Sequence, residues 1–154
     1  ALLDEAVCKF THLGLAHSDG AAIARMLRAL GQIETFFDSD ETYYRGIYAA
    51  IMTSDHPEVR STSVDRAIAS ARALMAEAMS NGELRADTDV QSLGRHLAIT
   101  LLAVLGMWGS GFFSNRESMA QARRAWLAVM LQHCSDTSRL MLAAAYDNPS
   151  NIGD

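Results

Sequence analysis

Leu97-Ala98-Ile99-Thr100-Leu101-Leu102-Ala103-Val104-Leu105-Gly106-Met107-Trp108 is apolar almost all the way round a helical wheel. A helix on the surface of a lone chain keeps a polar face, so one without such a face must be covered on every side. The rest of a 154-residue chain covers part of that surface, and a second copy of the same chain is the expected cover for the remainder. The uncharged span around it, from His96 to Asn115, is also the one stretch that resembles a membrane segment. Its continuous apolar part stops at Trp108, before Gly109-Ser110-Gly111, whereas spanning takes roughly 20 mostly apolar residues. The reading is therefore a buried helix.

Outward from this segment, helix-period apolar stripes recur in both directions. Upstream, Leu3, Ala6, Val7, Phe10, Leu13 and Gly14 form a first stripe, and Ser18-Asp19-Gly20 ends it. A second helix carries Ile23, Met26, Leu27, Leu30, Ile33, Phe36 and Phe37. A short third helix, capped by Asp40, carries Tyr43, Tyr44, Ile47, Tyr48, Ile51 and Met52. Pro57 opens a fourth, at a position where its missing N–H does no harm. That helix turns Val64, Ala67, Ile68, Ala71, Leu74, Met75, Ala78 and Met79 inward. Asn81-Gly82 stops it, because glycine tolerates the left-handed conformation after a helix end. Thr88-Asp89-Val90-Gln91 has the form of a capping box for the fifth helix, and Ser114-Asn115-Arg116-Glu117 for the sixth. Leu140 to Tyr146 extends or follows the sixth, and a polar tail runs from Asp147. The expectation is an all-α, antiparallel bundle of about six helices: one domain over 1–146 with a flexible tail over 147–154.

Composition narrows the function. A hydrophobic fraction of 49% with 20% charged residues is that of a globular chain, not a disordered one. The net charge of −5 comes with scattered arginines and a single lysine, Lys9. Phosphate contacts dominate nucleic-acid affinity, so this chain is not expected to grip DNA or RNA itself. Cys8 and Cys134 do not make a disulfide scaffold, which together with the lack of a signal-peptide pattern at Ala1-Leu2-Leu3-Asp4-Glu5 suggests a reduced, cytoplasmic setting. The first stripe is already under way at Leu3, as though the chain began upstream.

Catalytic patterns are weak, and no enzyme, metal or cofactor is expected. Cys8 and His12 share a helix face, but structural metal sites want four ligands. His133 and Cys134 are adjacent, so on a helix they point about 100° apart. His96 reads as a packing histidine, and Gly109-Ser110-Gly111 lacks the strand and lysine of a phosphate loop. More suggestive is a set of aromatic and methionine side chains: Met26, Phe36, Phe37, Tyr43, Tyr44, Tyr48, Met52, Met75 and Met79. Each suits a core. Together they suit an adaptable cavity, since methionine refits its shape and tyrosine hydroxyls need water, a ligand or a polar partner.

The stretch Met79-Ser80-Asn81-Gly82-Glu83-Leu84-Arg85-Ala86-Asp87-Thr88-Asp89-Val90 resembles the junction in the regulatory domain of tetracycline-repressor-type (TetR family) transcription regulators. There a long helix stops at glycine, an E-L-R-x-D turn follows, and an apolar helix begins. Ala1-Leu2-Leu3-Asp4-Glu5-Ala6-Val7 is similar to the start of the long helix behind that family's DNA-binding head. The resemblance implies an effector-binding and dimerisation domain, whose last two long helices pair with their symmetry mates. It puts Leu97, Leu101, Val104, Leu105, Trp108, Trp126, Leu127 and Met130 at the dimer face and the aromatic and methionine set, joined by Met107, at the effector pocket. The family's helix-turn-helix head is absent from this sequence, so DNA would be reached only through it. The leading expectation is a repressor domain sensing an apolar or aromatic small molecule as a homodimer. The alternative is a helical dimerisation or adaptor module with no ligand.

Overall fold

The computed structural model describes residues 21–147 apart from 54 and 56. The first apolar stripe, the Cys8–His12 pair, Ser18-Asp19-Gly20 and residues 148–154 lie outside the described residues. Among the described residues the fold is all-helical: α1 (Ala22–Asp38), α2 (Glu41–Thr53), α3 (Pro57–Ser80), α4 (Val90–Gly109), α5 (Asn115–His133) and α6 (Asp136–Asp147). Leu140 to Tyr146 belongs to a helix of its own, because Cys134 is extended (φ −71°, ψ 151°) and ends α5.

Local chemistry sets most of these ends. Asp40 accepts from the Tyr43 N–H at 3.1 Å at the start of α2. Ser114 and Glu117 form the expected reciprocal box, Glu117 accepting from the Ser114 N–H at 2.9 Å. At α4 the expectation fails in detail. Asp89 is the cap, accepting from the N–H groups of Gln91 and Ser92, while the Thr88 hydroxyl donates to the His133 carbonyl. Gly82 (φ 71°) and Gly111 (φ 76°) end α3 and α4. Each is followed by the paired return bonds of a Schellman motif, Glu83 N–H to the Ala78 carbonyl and Phe112 N–H to the Met107 carbonyl.

α1 starts differently. Its N-cap position, Ala21, has no capping side chain. Glu83, from the turn after α3, lies buried there and accepts from the N–H groups of Ala22 at 2.8 Å and Ile23 at 2.9 Å. The same turn pairs with the α5–α6 link: Arg85 N–H donates to the His133 carbonyl and Ser135 N–H to the Glu83 carbonyl, both at 2.9 Å. One junction therefore ties the start of α1, the end of α3 and the end of α5. The far end of α1 is held by α5, where Arg123 pairs with Glu34 at 2.7 Å and the Asn115 amide donates to the Glu34 carbonyl and the Asp38 carboxylate.

The core runs between α1, α3, α4 and α5, with Ile23, Leu30, Met75, Leu97, Leu105, Trp108, Met119, Leu127 and Met130 fully buried. α4 is the central element, packing against α2, α3 and α5. Over its length it is apolar enough to cross a membrane (mean hydropathy 1.3), and about a third of it is buried within the fold. α3 and α4 touch at Gly94, where an added Cβ would lie 2.7 Å from the Cα and N of Arg72. Gly94→Ala should therefore lose stability, overpacking at about 1–3 kcal/mol outweighing the ~1 kcal/mol gain in helix propensity. Gly46→Ala in α2, where a Cβ meets nothing within 4 Å, should instead gain up to ~1 kcal/mol. Urea midpoints moving in the same direction for both would contradict this close approach.

Candidate ligand cavity

A cavity of about 100 Å³ lies among α1, α3, α4 and α5. α1 supplies Met26, Ala29 and Ile33, at helix-face spacing. α3 supplies Ala67, Ser70, Ala71, Leu74 and Met75, α4 supplies Leu97, Ala98, Leu101 and Leu102, and α5 supplies Trp126. Room exists because Ala29, Ala67, Ser70, Ala71 and Ala98 stand where bulkier side chains would interdigitate. The half-buried members, Ala29, Ala67, Ser70, Ala71 and Leu102, mark the side on which it meets solvent. The Trp126 indole N–H is engaged by the Leu97 carbonyl at 2.9 Å, so the largest side chain in the wall brings no free donor. Among the described residues no charged side chain lines the cavity. An ionised ligand would lose its water there without gaining a counter-charge, at a cost of several kcal/mol.

Only Met26 and Met75 of the expected pocket set line this cavity. The aromatic members pack on one another. Phe37 stacks on Trp108 with ring centres 4.4 Å apart, Phe36 lies 4.2 Å from Tyr44, and Tyr44 meets Tyr43 edge-on at 5.2 Å. The Tyr48 hydroxyl donates to the Leu102 carbonyl at 3.0 Å, and burial pushes its phenol well above the usual range. Arg45 lies 5.5 Å from the Trp108 ring centre and pairs with Glu41, which also accepts from the Trp108 indole N–H. This aromatic cluster is a packed joint between α1, α2 and α4. Tyr43, Met52 and Met107 are exposed, and Met79 is half-buried against the core. The polar depression beside the joint, lined by Glu41, Thr42, Arg45, Gly46, Ala49 and Gly109, is wider and more open than the apolar cavity.

The sequence reading turns Ala67 and Ala71 inward as core and passes over Ala29, Ser70 and Ala98; none is expected at a pocket, because their signal is a lack of bulk. Ala67, Ser70, Ala71 and Leu74 follow the i, i+3, i+4, i+7 spacing of a core stripe, yet three of the four are small.

The residues expected at the dimer face differ in how much of them the single chain covers. Leu97, Leu101, Leu105, Trp108, Trp126, Leu127 and Met130 are buried inside the single chain, and Val104 is half-buried. The buried ones hold α4 and α5 to their own neighbours, and Val104 keeps part of its surface outside. The open side of α4 is the stripe Ile99, Ala103 and Met107, with Ile99 46% and Met107 40% exposed.

Of the candidates for chemistry, His96 is exposed, and Cys134 is fully buried with its thiol 3.6 Å from the Leu131 carbonyl. Among the described residues no group of three or more His, Cys, Asp or Glu side chains converges as a metal site would need. No protein-family model matches this chain, and neither a curated protein nor a solved structure matches it.

Proposed function

We propose that this chain is the effector-binding and dimerisation domain of a TetR-like cytoplasmic transcription repressor, sensing a small apolar molecule. The observation that carries the reading is the uncharged cavity whose walls belong to four separate helices. A molecule lodged there touches α1, α3, α4 and α5 together and favours whichever arrangement of them it fits best. Only such unequal affinity can shift a conformational equilibrium. The start of α1 and the end of α3 meet at Glu83, so a change in their spacing bears on the chain entering α1. In this reading DNA is contacted through a helix-turn-helix head and not by this domain, and the domain performs no catalysis.

The open apolar stripe on α4 supports the homodimer half of the proposal, because a partner's matching helix would cover it. The adaptor alternative shares this half and differs only at the cavity.

The test is thermal unfolding with a panel of neutral single-ring compounds. A ligand present at 100 times its Kd adds about 2.7 kcal/mol to stability, a rise of roughly 5–10 °C in Tm for a domain of this size. Ala71→Leu places a bulky side chain in the cavity and should abolish the rise while the protein stays folded. A flat response across the panel would leave the adaptor reading.

A further inference from the structure

We propose that Ser70 is the specificity-determining residue of the cavity, and that the ligand it selects is a compact neutral ring bearing one hydroxyl or carbonyl group. This rests on the effector-binding reading above and names the chemistry of that site.

Among the described lining residues, Ser70 alone offers a polar side-chain atom besides the Trp126 indole N–H, which is already engaged. Hydroxyl side chains in helices tend to fold back onto the carbonyl four residues earlier. Thr35, Thr53, Thr100 and Ser110 do so here, donating to the carbonyls of Gly31, Ala49, His96 and Gly106 at 2.7–3.1 Å. Among the described residues no hydrogen bond engages the Ser70 hydroxyl. A half-buried serine in an otherwise apolar wall, its hydroxyl without a partner among the described residues, is a single polar point from which a ligand can be oriented. Apolar lining with few placed polar groups is the usual construction of a small-molecule site.

Size and charge complete the class. At about 100 Å³ the space is near the scale of the apolar cavity of roughly 150 Å³ that takes up benzene, which limits the occupant to about one ring. Among the described residues a ligand with a second hydrogen-bonding group finds no further partner, and a charged ligand no counter-ion. A serine hydroxyl both donates and accepts, so it serves a phenol-type or a ketone-type substituent equally.

The experiment is a cycle of two probes and two proteins, read by calorimetric Kd. Phenol and toluene are close in shape and differ in one hydroxyl. Ser70→Ala removes the partner while favouring the helix, so folding is not at risk. A single neutral hydrogen bond predicts that Ser70→Ala weakens phenol by roughly three- to tenfold and leaves toluene within about twofold. Benzoate should bind neither protein. If both probes bind the wild-type chain but shift together, or not at all, on Ser70→Ala, the inference about Ser70 falls while the cavity reading stands. If neither probe binds, or if binding survives Ala71→Leu, the cavity reading itself falls and this inference with it.

Discussion

Glu83→Ala is expected to destabilise the protein by about 2–4 kcal/mol, read as a drop in the urea midpoint at unchanged slope. The carboxylate is only 8% exposed and accepts from two main-chain N–H groups in the first turn of α1. Those donors have no partner within the helix. Truncation leaves them buried and unmade, at about 1–3 kcal/mol for each buried orphan, and removes a negative charge from the positive end of the helix dipole, worth about 0.3–1 kcal/mol. Against this stands the cost of keeping a carboxylate out of water, which alanine relieves. The surroundings reduce that cost: the Asn81 amide also donates to Glu83 at 3.2 Å, and the positive Arg25 lies close enough to interact with it. Glu83→Gln keeps one carbonyl acceptor and should fall between wild type and alanine. Hydrogen exchange gives the local readout, since the amides of Ala22 and Ile23 should lose protection in both variants. A midpoint within about 0.5 kcal/mol of wild type for Glu83→Ala, the usual range of an unremarkable surface substitution, would show that the start of α1 is held by other contacts.

The same residue shows where sequence reading stops. Asp40, Ser114, Gly82 and Gly111 act on backbone within a few positions of themselves, so residue type and spacing announce them. Glu83 caps a helix sixty residues earlier in the chain, and nothing local distinguishes it from a surface glutamate beside a turn. Thr88 misleads for a related reason: its hydroxyl reaches across to His133, leaving Asp89 to cap α4. Periodicity likewise places α4 in the middle of the fold but does not tell its two apolar sides apart. Leu97, Leu101 and Leu105 face the chain's own core, whereas Ile99, Ala103 and Met107 face out. The cavity was the least legible part. Bulky, adaptable side chains attract attention in a sequence, and here the phenyl and phenol rings solve a packing problem around Trp108. The empty space arises opposite alanines that read as ordinary helix formers.

That division of α4 into an inner and an outer face decides what should happen to assembly. In the proposed homodimer, Ile99→Glu combined with Ala103→Glu is expected to weaken self-association by about 10²–10³-fold, with little change in the thermal stability of the isolated chain. Both positions lie on the open stripe, so in a monomer the new carboxylates stay hydrated. In a dimer that covers the stripe they are buried without a counter-charge, and an uncompensated buried charge costs about 3–5 kcal/mol, at about 1.4 kcal/mol per tenfold in Kd. Leu105→Ala supplies the contrast. Leu105 is fully buried between α4 and its own neighbours, so its truncation should cost about 2–5 kcal/mol of folding stability and act on association only through unfolding. Sedimentation equilibrium across the micromolar range, paired with thermal unfolding of each variant, separates the two faces. A wild-type chain that remains monomeric throughout that range would remove the dimer from the proposal. A double-glutamate variant that associates as tightly as wild type would place the interface away from Ile99 and Ala103.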